Sequence, residues 1–326
     1  MTFVSASDGW VLGTAPCAVQ PCTSIVRTTD GGASWLGIPA PPVPLASNGP
    51  NGLSPGLSYL RFANQLDGFA FGSQLWVTHD GGASWQQVPL PGSISDLETS
   101  AGVVYAAVTA QNGTTIYRSL AAGGAWTAVA GLPAGLTDPA DSAPISLGRI
   151  TLHGTAAWII LGGRLYGTQT GQSWLQEPVT CPPYYQLASA AAYTTQQLTV
   201  LCAGDPAMGT EGKAVYSSVN GGASFSLTSA WAGPGDHFNL LAEPTAQHIF
   251  LATSSAATWL DVSGDGGTTW TTALTIDDGG VGWSDFGFTT PTQGVAIEGY
   301  PGSPYNGTST MYMTWDAGQT WHQITF

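Results

Sequence analysis

An eight-residue pattern recurs along the whole chain and constrains the fold more than any other feature. Residues 28–35 and 78–85 share the sequence Thr-x-Asp-Gly-Gly-Ala-Ser-Trp. Five more divergent copies make seven, and the copies end in the aromatic residues Trp35, Trp85, Trp126, Trp174, Phe225, Trp270 and Trp321. These aromatics are 50, 41, 48, 51, 45 and 51 residues apart. A period in this range over a whole chain indicates a repeat architecture.

Each repeat has room for four short strands. In the second repeat, residues 58–64, 67–73, 75–79 and 84–89 are alternating or continuously apolar, and Gly, Asp and Asn separate them. Four strands in about 45 residues make one propeller blade. The sequence therefore predicts an all-β fold, a seven-bladed β-propeller of four-stranded antiparallel blades in a single domain. We expect the blades at about 1–38, 57–90, 93–131, 145–179, 184–230, 238–275 and 283–326.

The repeated octapeptide, here called the motif turn, falls between the third and fourth strands of each blade. Its glycines adopt positive φ without steric cost. The Asp or Asn side chain accepts hydrogen bonds from nearby backbone N–H groups, and the closing aromatic starts the fourth strand. We therefore expect the aromatics listed above to have structural roles, together with Asp30, Asp80, Asn220, Asp265 and Asp316.

The pattern Ser/Thr-x-Asp-x-Gly-x-Thr/Ser-Trp resembles the Asp-box, or BNR, repeat. Seven copies over the chain resemble the propellers of the photosystem II assembly and stability factor family and of secreted BNR-repeat proteins of the sialidase-like superfamily. The opening residues 2–13 resemble a first-blade segment of that group. The resemblance implies the fold but no single activity, because enzymes, receptors and scaffolds share the repeat.

Two properties that these resemblances imply do not fit the residues. Sialidases hold the substrate carboxylate with three arginines, one of them in an Arg-Ile-Pro motif. This chain has no Arg-Ile-Pro, and only Arg61 and Arg149 occur on predicted first strands, where they could line the channel. The photosystem factors imply a basic binding patch, which 6 Lys and Arg residues spread over the chain cannot build. What remains of the resemblance is the scaffold.

The charge balance excludes some partners. The chain has 20 acidic and 6 basic residues, a net charge of −14. Such a surface repels nucleic acid and anionic membrane surfaces. There is no apolar run long enough to span a membrane, no recognisable signal peptide, and no sequence motif for a cofactor or a metal. We expect a monomer that binds a protein or carbohydrate ligand.

The four cysteines favour an oxidising compartment. Cys17 and Cys22 flank a short turn, and Cys181 and Cys202 bracket the first two strands of blade 5. Four cysteines allow three connectivities, of which the pairs 17–22 and 181–202 fit the predicted hairpins. Four reduced, buried thiols are the alternative. With disulfides, we expect an extracytoplasmic protein whose export signal is not part of this sequence.

One end of the propeller is predicted to hold the long loops. Motif turns and first hairpin turns share one end, whereas second-to-third-strand turns and blade connections share the other. Long loops on a rigid scaffold are the usual place for binding residues. The candidates at that end are Tyr184, Tyr185, Asp205, Asp236, His237, Glu298, Tyr300 and Tyr305.

These residues suit two functions. The first is an exported, non-enzymatic scaffold whose aromatic side chains bind a protein or glycan. The second is a secreted glycoside hydrolase or polysaccharide lyase, in which carboxylates such as Asp205, Asp236 and Glu298, together with a Tyr, do the chemistry. The sequence favours the first, because acidic residues in loops are usually solvated turn formers.

Overall fold

The computed structural model describes residues 1–16, 22–49, 52–133, 148–299 and 309–326, and these contain no helix. They form seven antiparallel sheets of four strands each. Blade 1 consists of β1 (Thr2–Phe3), β2 (Gly9–Ala15), β3 (Cys22–Thr28) and β4 (Leu36–Ile38), and blade 2 of β7 (Leu57–Phe62), β8 (Gly68–Gly72), β9 (Leu75–Thr78) and β10 (Gln86–Val88). Blade 3 consists of β11 (Ser93–Ser100), β12 (Val103–Ala110), β13 (Gly113–Leu120) and β14 (Thr127–Ala128). Blade 4 consists of β15 (Arg149–His153), β16 (Ala156–Leu161), β17 (Arg164–Thr168) and β18 (Leu175–Gln176).

Blade 5 consists of β19 (Gln186–Ala192), β20 (Leu198–Ala203), β21 (Thr210–Ser218) and β22 (Ser226–Pro234). Blade 6 consists of β23 (His237–Ala242), β24 (Ile249–Ser254), β25 (Thr258–Ser263) and β26 (Thr271–Ile276). Blade 7 consists of β27 (Trp283–Phe288), β28 (Gly294–Glu298), β29 (Thr310–Thr314) and β30 (His322–Ile324). First strands of successive blades contact each other, so they line a central channel. The predicted seven-bladed propeller is confirmed.

The blade 1–2 connection contains a feature that the sequence did not predict. Residues 39–56 lie between the predicted bounds of blades 1 and 2. Within them, β5 (Ser47–Gly49) and β6 (Gly52–Ser54) pair as a small separate hairpin. Leu45 then bridges in parallel to Leu57 at the start of blade 2. The connection therefore carries a small sheet of its own next to the start of blade 2.

Apolar packing between neighbouring blades forms the core. The second strands are buried on both faces because each blade is covered by its two neighbours; β8, β16 and β24 are buried along their whole length. Between blades 1 and 2, the Trp10 and Phe62 rings stack with centroids 4.0 Å apart. The core is thus distributed around the ring in one cluster per blade interface.

Side chains, rather than a shared strand, close the ring. All four strands of blade 1 and of blade 7 are consecutive in sequence. Val11 packs with Val295, Met311 and Met313 across the closing interface. The Gln293 amide also donates a hydrogen bond to the Ala6 carbonyl at 3.0 Å. The ring is therefore closed by contacts between blades 1 and 7 that involve no exchanged strand.

The motif turns that keep the Asp or Asn have a common hydrogen-bond pattern. In blade 2 the Asp80 carboxylate accepts hydrogen bonds from the Thr78 hydroxyl at 2.7 Å and from the Ser84 amide and hydroxyl at 2.9 and 2.6 Å. The hydrogen bonds from Ser84 and Thr78 hold the pKa of Asp80 at about 2. Gly81 has a φ of 75°, and its amide donates to the Leu66 carbonyl in the first turn of the same blade at 2.9 Å. Motif turns and first turns therefore share one end; we call the opposite end the long-loop end.

Candidate functional site

A disulfide braces the long-loop end of blade 5. Cys181, in the connection from blade 4, is bonded to Cys202 on β20. Cys22 is also disulfide-bonded, while Cys17, its predicted partner, lies outside the described residues. Disulfides persist in oxidising compartments, so the bond indicates an extracytoplasmic environment.

Tyr185 joins the two segments that the disulfide connects. A Cβ at Gly204 would lie 3.0 Å from the Tyr185 ring, and a Cβ at Gly212 would collide with the Tyr185 hydroxyl. The ring therefore fits only because both positions are glycine. The Gly204 amide also donates to the Gly212 carbonyl at 2.8 Å. Residues 181–185 and 202–212 thus form one packed unit, here called the blade-5 platform.

Two large apolar side chains project from this platform into solvent. Tyr184 is 84% exposed, and Met208 is fully exposed. Both residues have left-handed backbone conformations, with φ of 67° and 53°. Residues other than glycine rarely adopt such conformations. Such strain persists where the surrounding structure enforces it, and it is common in ligand clamps. Asp205 beside Met208 is also exposed. Tyr184, Tyr185 and Asp205 are predicted site residues, but Met208 is not.

A buried ion pair supports the platform from below. The Lys213 ammonium is fully buried, 3.5 Å from the Glu211 carboxylate, and donates to the carbonyls of Pro234 and Gly235 at 3.0 and 2.8 Å. Burial lowers the pKa of Lys213 and raises the pKa of Glu211. These contacts hold the platform to the connection that leads into blade 6, so its position is fixed relative to two blades.

The central channel is a second candidate region. It is a cavity of about 720 Å³ lined by first-strand residues of several blades. The Arg61 guanidinium donates to both oxygens of Asp285 at 2.8 and 3.0 Å and to Glu98 at 2.9 Å. The Met1 amino group donates to the same Asp285 at 2.7 Å. These pairs connect blades 1, 2, 3 and 7 across the channel.

The channel carboxyls have opposite protonation preferences. Burial raises the pKa of Asp285, but Arg61 and the Met1 ammonium outweigh it and hold the value at about 2. Burial, with nearby Glu98, raises the pKa of Asp96 to about 7. Burial also raises the pKa of Glu98. As expected from the sequence, Arg61 and Arg149 both line the channel. Sequence patterns did not single out the three carboxyls, although Asp96 and Glu98 flank the apolar Leu97 on β11.

Glu298 lies in a separate carboxyl cluster at the long-loop end of blade 7. Burial and the neighbouring Asp278 carboxyl raise the pKa of Glu298 to about 7. The Tyr312 hydroxyl donates to Glu298 at 3.3 Å, and the Thr258 hydroxyl donates to Asp278 at 2.8 Å. A hydrogen bond between the two carboxyls favours the neutral form of Glu298. Glu298 is 8% exposed, which makes it a poor first contact for a large partner.

The remaining predicted site residues do not add a described contact surface. Asp236 is half-buried, with its amide bonded to the Ser254 carbonyl at 2.9 Å. His237 begins β23, and its side chain lies outside the described part. Tyr300 and Tyr305 fall on residues 300–308, which the structure does not describe. The described residues hold no cluster of three metal-ligating side chains, and none of them forms a helix with the length and hydropathy of a membrane span.

Comparison with known proteins supports the fold. No family model matches the chain, and no curated protein matches it. Among solved structures, YCF48 bound to a D1 peptide is 18% identical, with a TM-score of 0.59 over 97% of this chain and 91% of that one. YCF48 from Cyanidioschyzon merolae is 15% identical, with a TM-score of 0.62 over 97% and 93%. The β-propeller domain of the Trilobed protease from Pyrococcus furiosus is 10% identical, with a TM-score of 0.52 over 100% and 96%. At these identities the likeness shows a shared propeller fold.

Proposed function

We propose that this protein is an exported, monomeric scaffold that binds a segment of another protein at the long-loop end, with the blade-5 platform as the main contact. The observation that carries this is the exposure of Tyr184 and Met208 on two loops that the Cys181–Cys202 disulfide joins. Tyrosine and methionine are enriched in protein interfaces. A platform that is already braced loses little conformational freedom on binding.

The structural neighbours add support of a general kind. YCF48, a propeller of similar length and shape, has been solved with a D1 peptide bound. A propeller of this size therefore offers a surface on which a peptide can lie. The acidic chain, with its net charge of −14, favours partner segments that combine apolar residues with Lys or Arg. Asp205, exposed beside Met208, would receive such a cation.

A displayed library of random peptides tests the proposal. We expect the selected peptides to bind the wild-type protein and to bind the Tyr184→Ala and Met208→Ser variants about 30-fold more weakly, as for residues at the centre of an interface. Val219→Ser is the matched control, because Val219 is 80% exposed on the motif turn of the same blade. Equal affinities for Tyr184→Ala and the wild type, or a loss caused by Val219→Ser, would place the binding face elsewhere.

The channel supports a second candidate function, hydrolysis or elimination on a glycan. Asp96, with its pKa raised to about 7, has the protonation state of a general acid, and Glu98 lies on the same strand facing the same cavity. Incubation with a glycan panel, followed by product analysis, tests this function. Release of products by the wild type but not by Asp96→Asn would favour the enzyme over the scaffold.

A further inference from the structure

A groove between blades 5 and 6 lies on the outer surface, away from the channel. It borders the platform, because Ala232, Gly233 and Pro234 in its wall pair with residues 210–212. It has a volume of about 380 Å³. One wall is β22, which has nine residues, whereas the outermost strands β4, β10, β14 and β18 of the first four blades have two or three. The other wall is formed by the blade 6 motif turn and the start of β26. The long β22 therefore forms one wall of a concave surface. The first four blades have short outermost strands and lack such a wall.

Two tryptophans form the apolar part of the groove. The rings of Trp231 on β22 and Trp270 in the motif turn stack with centroids 5.0 Å apart and an interplanar angle of 20°. Trp270 is held in place, because its indole N–H donates to the Gly267 carbonyl at 3.0 Å. The Trp231 indole N–H donates no hydrogen bond to any of the described residues. Trp231 thus offers the groove both a ring and an available donor.

A carboxyl lies beside the tryptophans. Asp261 on β25 lines the groove and is only 4% exposed. The Thr272 hydroxyl donates to its Oδ1 at 2.7 Å. None of the described residues donates a hydrogen bond to Oδ2. Burial raises the pKa of Asp261. A buried carboxyl with one oxygen held and the other unused is a fixed, directional acceptor at the base of the groove.

We propose that this groove binds a single neutral hexose unit of an oligosaccharide. The C–H face of a pyranose packs on the exposed indole surface, one sugar hydroxyl donates to Asp261, and another accepts from the Trp231 indole N–H. The exposed hydroxyl of Thr271 adds a further partner. No Lys or Arg is among the described residues that line the groove, and the chain is acidic, so uronates and other anionic sugars are disfavoured. The lining includes neither Tyr184 nor Met208, the exposed side chains of the platform.

Titration of the protein with neutral and anionic oligosaccharides tests this site, with intrinsic tryptophan fluorescence as the readout. The probes are hexamers of glucose and mannose in different linkages, oligogalacturonate as the anionic control, and a proline-rich peptide. We expect at least one neutral hexamer to saturate the fluorescence change below roughly 10 mM, and Trp231→Ala to bind that hexamer about tenfold more weakly. Asp261→Asn, which keeps the shape of the side chain, should bind it several-fold more weakly.

Two controls separate the groove from other effects. Thermal unfolding followed by circular dichroism shows whether each variant is folded, and Tyr184→Ala on the platform should bind the sugar as the wild type does. The inference is overturned if no neutral hexamer changes the fluorescence, or if Trp231→Ala and Asp261→Asn bind as the wild type does. Binding of the peptide instead of the sugar, or loss of sugar binding in Tyr184→Ala, would also overturn it.

Discussion

The channel ion pair between Arg61 and Asp285 connects residues 224 positions apart in sequence, and its removal should weaken the ring. The perturbation is Arg61→Met, which keeps the length of the side chain and removes its charge. The two side chains are 17% and 10% exposed, so they interact in a mostly dry environment. Loss of one partner from such a pair typically costs about 3–5 kcal/mol.

The shift of Asp285 gives a second measure of the same interaction. A pKa of about 2 in the fold, against about 3.8 unfolded, corresponds to roughly 2.4 kcal/mol. The cost in Arg61→Met has an upper limit, because Asp285 can instead take up a proton at pH 7. That alternative costs about 4 kcal/mol, from the gap between pH 7 and an ordinary carboxyl pKa. We therefore expect a loss of about 2.5–4 kcal/mol at pH 7.

The pH dependence has a definite sign. A depressed pKa contributes stability that is present above the unfolded value and is lost as the pH falls toward about 2. The difference in unfolding free energy between the wild type and Arg61→Met should therefore become smaller below about pH 4. Urea unfolding followed by tryptophan fluorescence measures both effects. A loss of unfolding free energy below about 0.5 kcal/mol at pH 7, or a difference from wild type that stays constant on acidification, would show that the ion pair does not stabilise the ring.

Three further predictions concern other parts of the fold. Asp80→Ala should lower the melting temperature by a few degrees (~3 °C) without changing ligand affinity, because Asp80 accepts three hydrogen bonds within its own turn; stable protein with lost binding would contradict this. Lys213→Met should destabilise by about 3 kcal/mol, because Glu211 stays buried without its cation; an unchanged urea midpoint would contradict it. The melting temperature should fall from pH 5 to pH 8, because burial raises the pKa of carboxyls such as Asp96 and Glu243 to about 7. The stability that these neutral carboxyls contribute is complete below pH ~4 and is lost as they ionise. A melting temperature that rises from pH 5 to pH 8 would contradict this prediction.

The repeat made the fold predictable. Seven copies at a regular spacing specify seven blades, and the position of the motif turn within each blade gave the phase that starts the ring on β1. The small β5–β6 hairpin was not predicted, because its short strands lie in a connection without the motif. Local patterns thus carried the architecture, and the parts outside the pattern did not follow from it.

The candidate site was only partly predictable, for a physical reason. Tyr184 was selected because it lies in a long connection between blades. Met208 was missed because its exposure and positive φ follow from how its loop packs on Tyr185. The channel pair of Arg61 and Asp285 depends on which first strands meet across the ring, and strand alternation does not specify that. Long-range pairing must be observed before such residues can be assigned.

Hydrogen–deuterium exchange with a selected peptide bound locates the binding surface directly. We expect slower exchange on binding at backbone amides of the blade-5 platform, in residues 181–185 and 202–212, with the motif turns unchanged. Tyr184→Ala should abolish this protection at the same peptide concentration. Protection confined to the motif turns, such as that around Val219, with exchange at the platform unchanged, would show that the platform is not the binding surface.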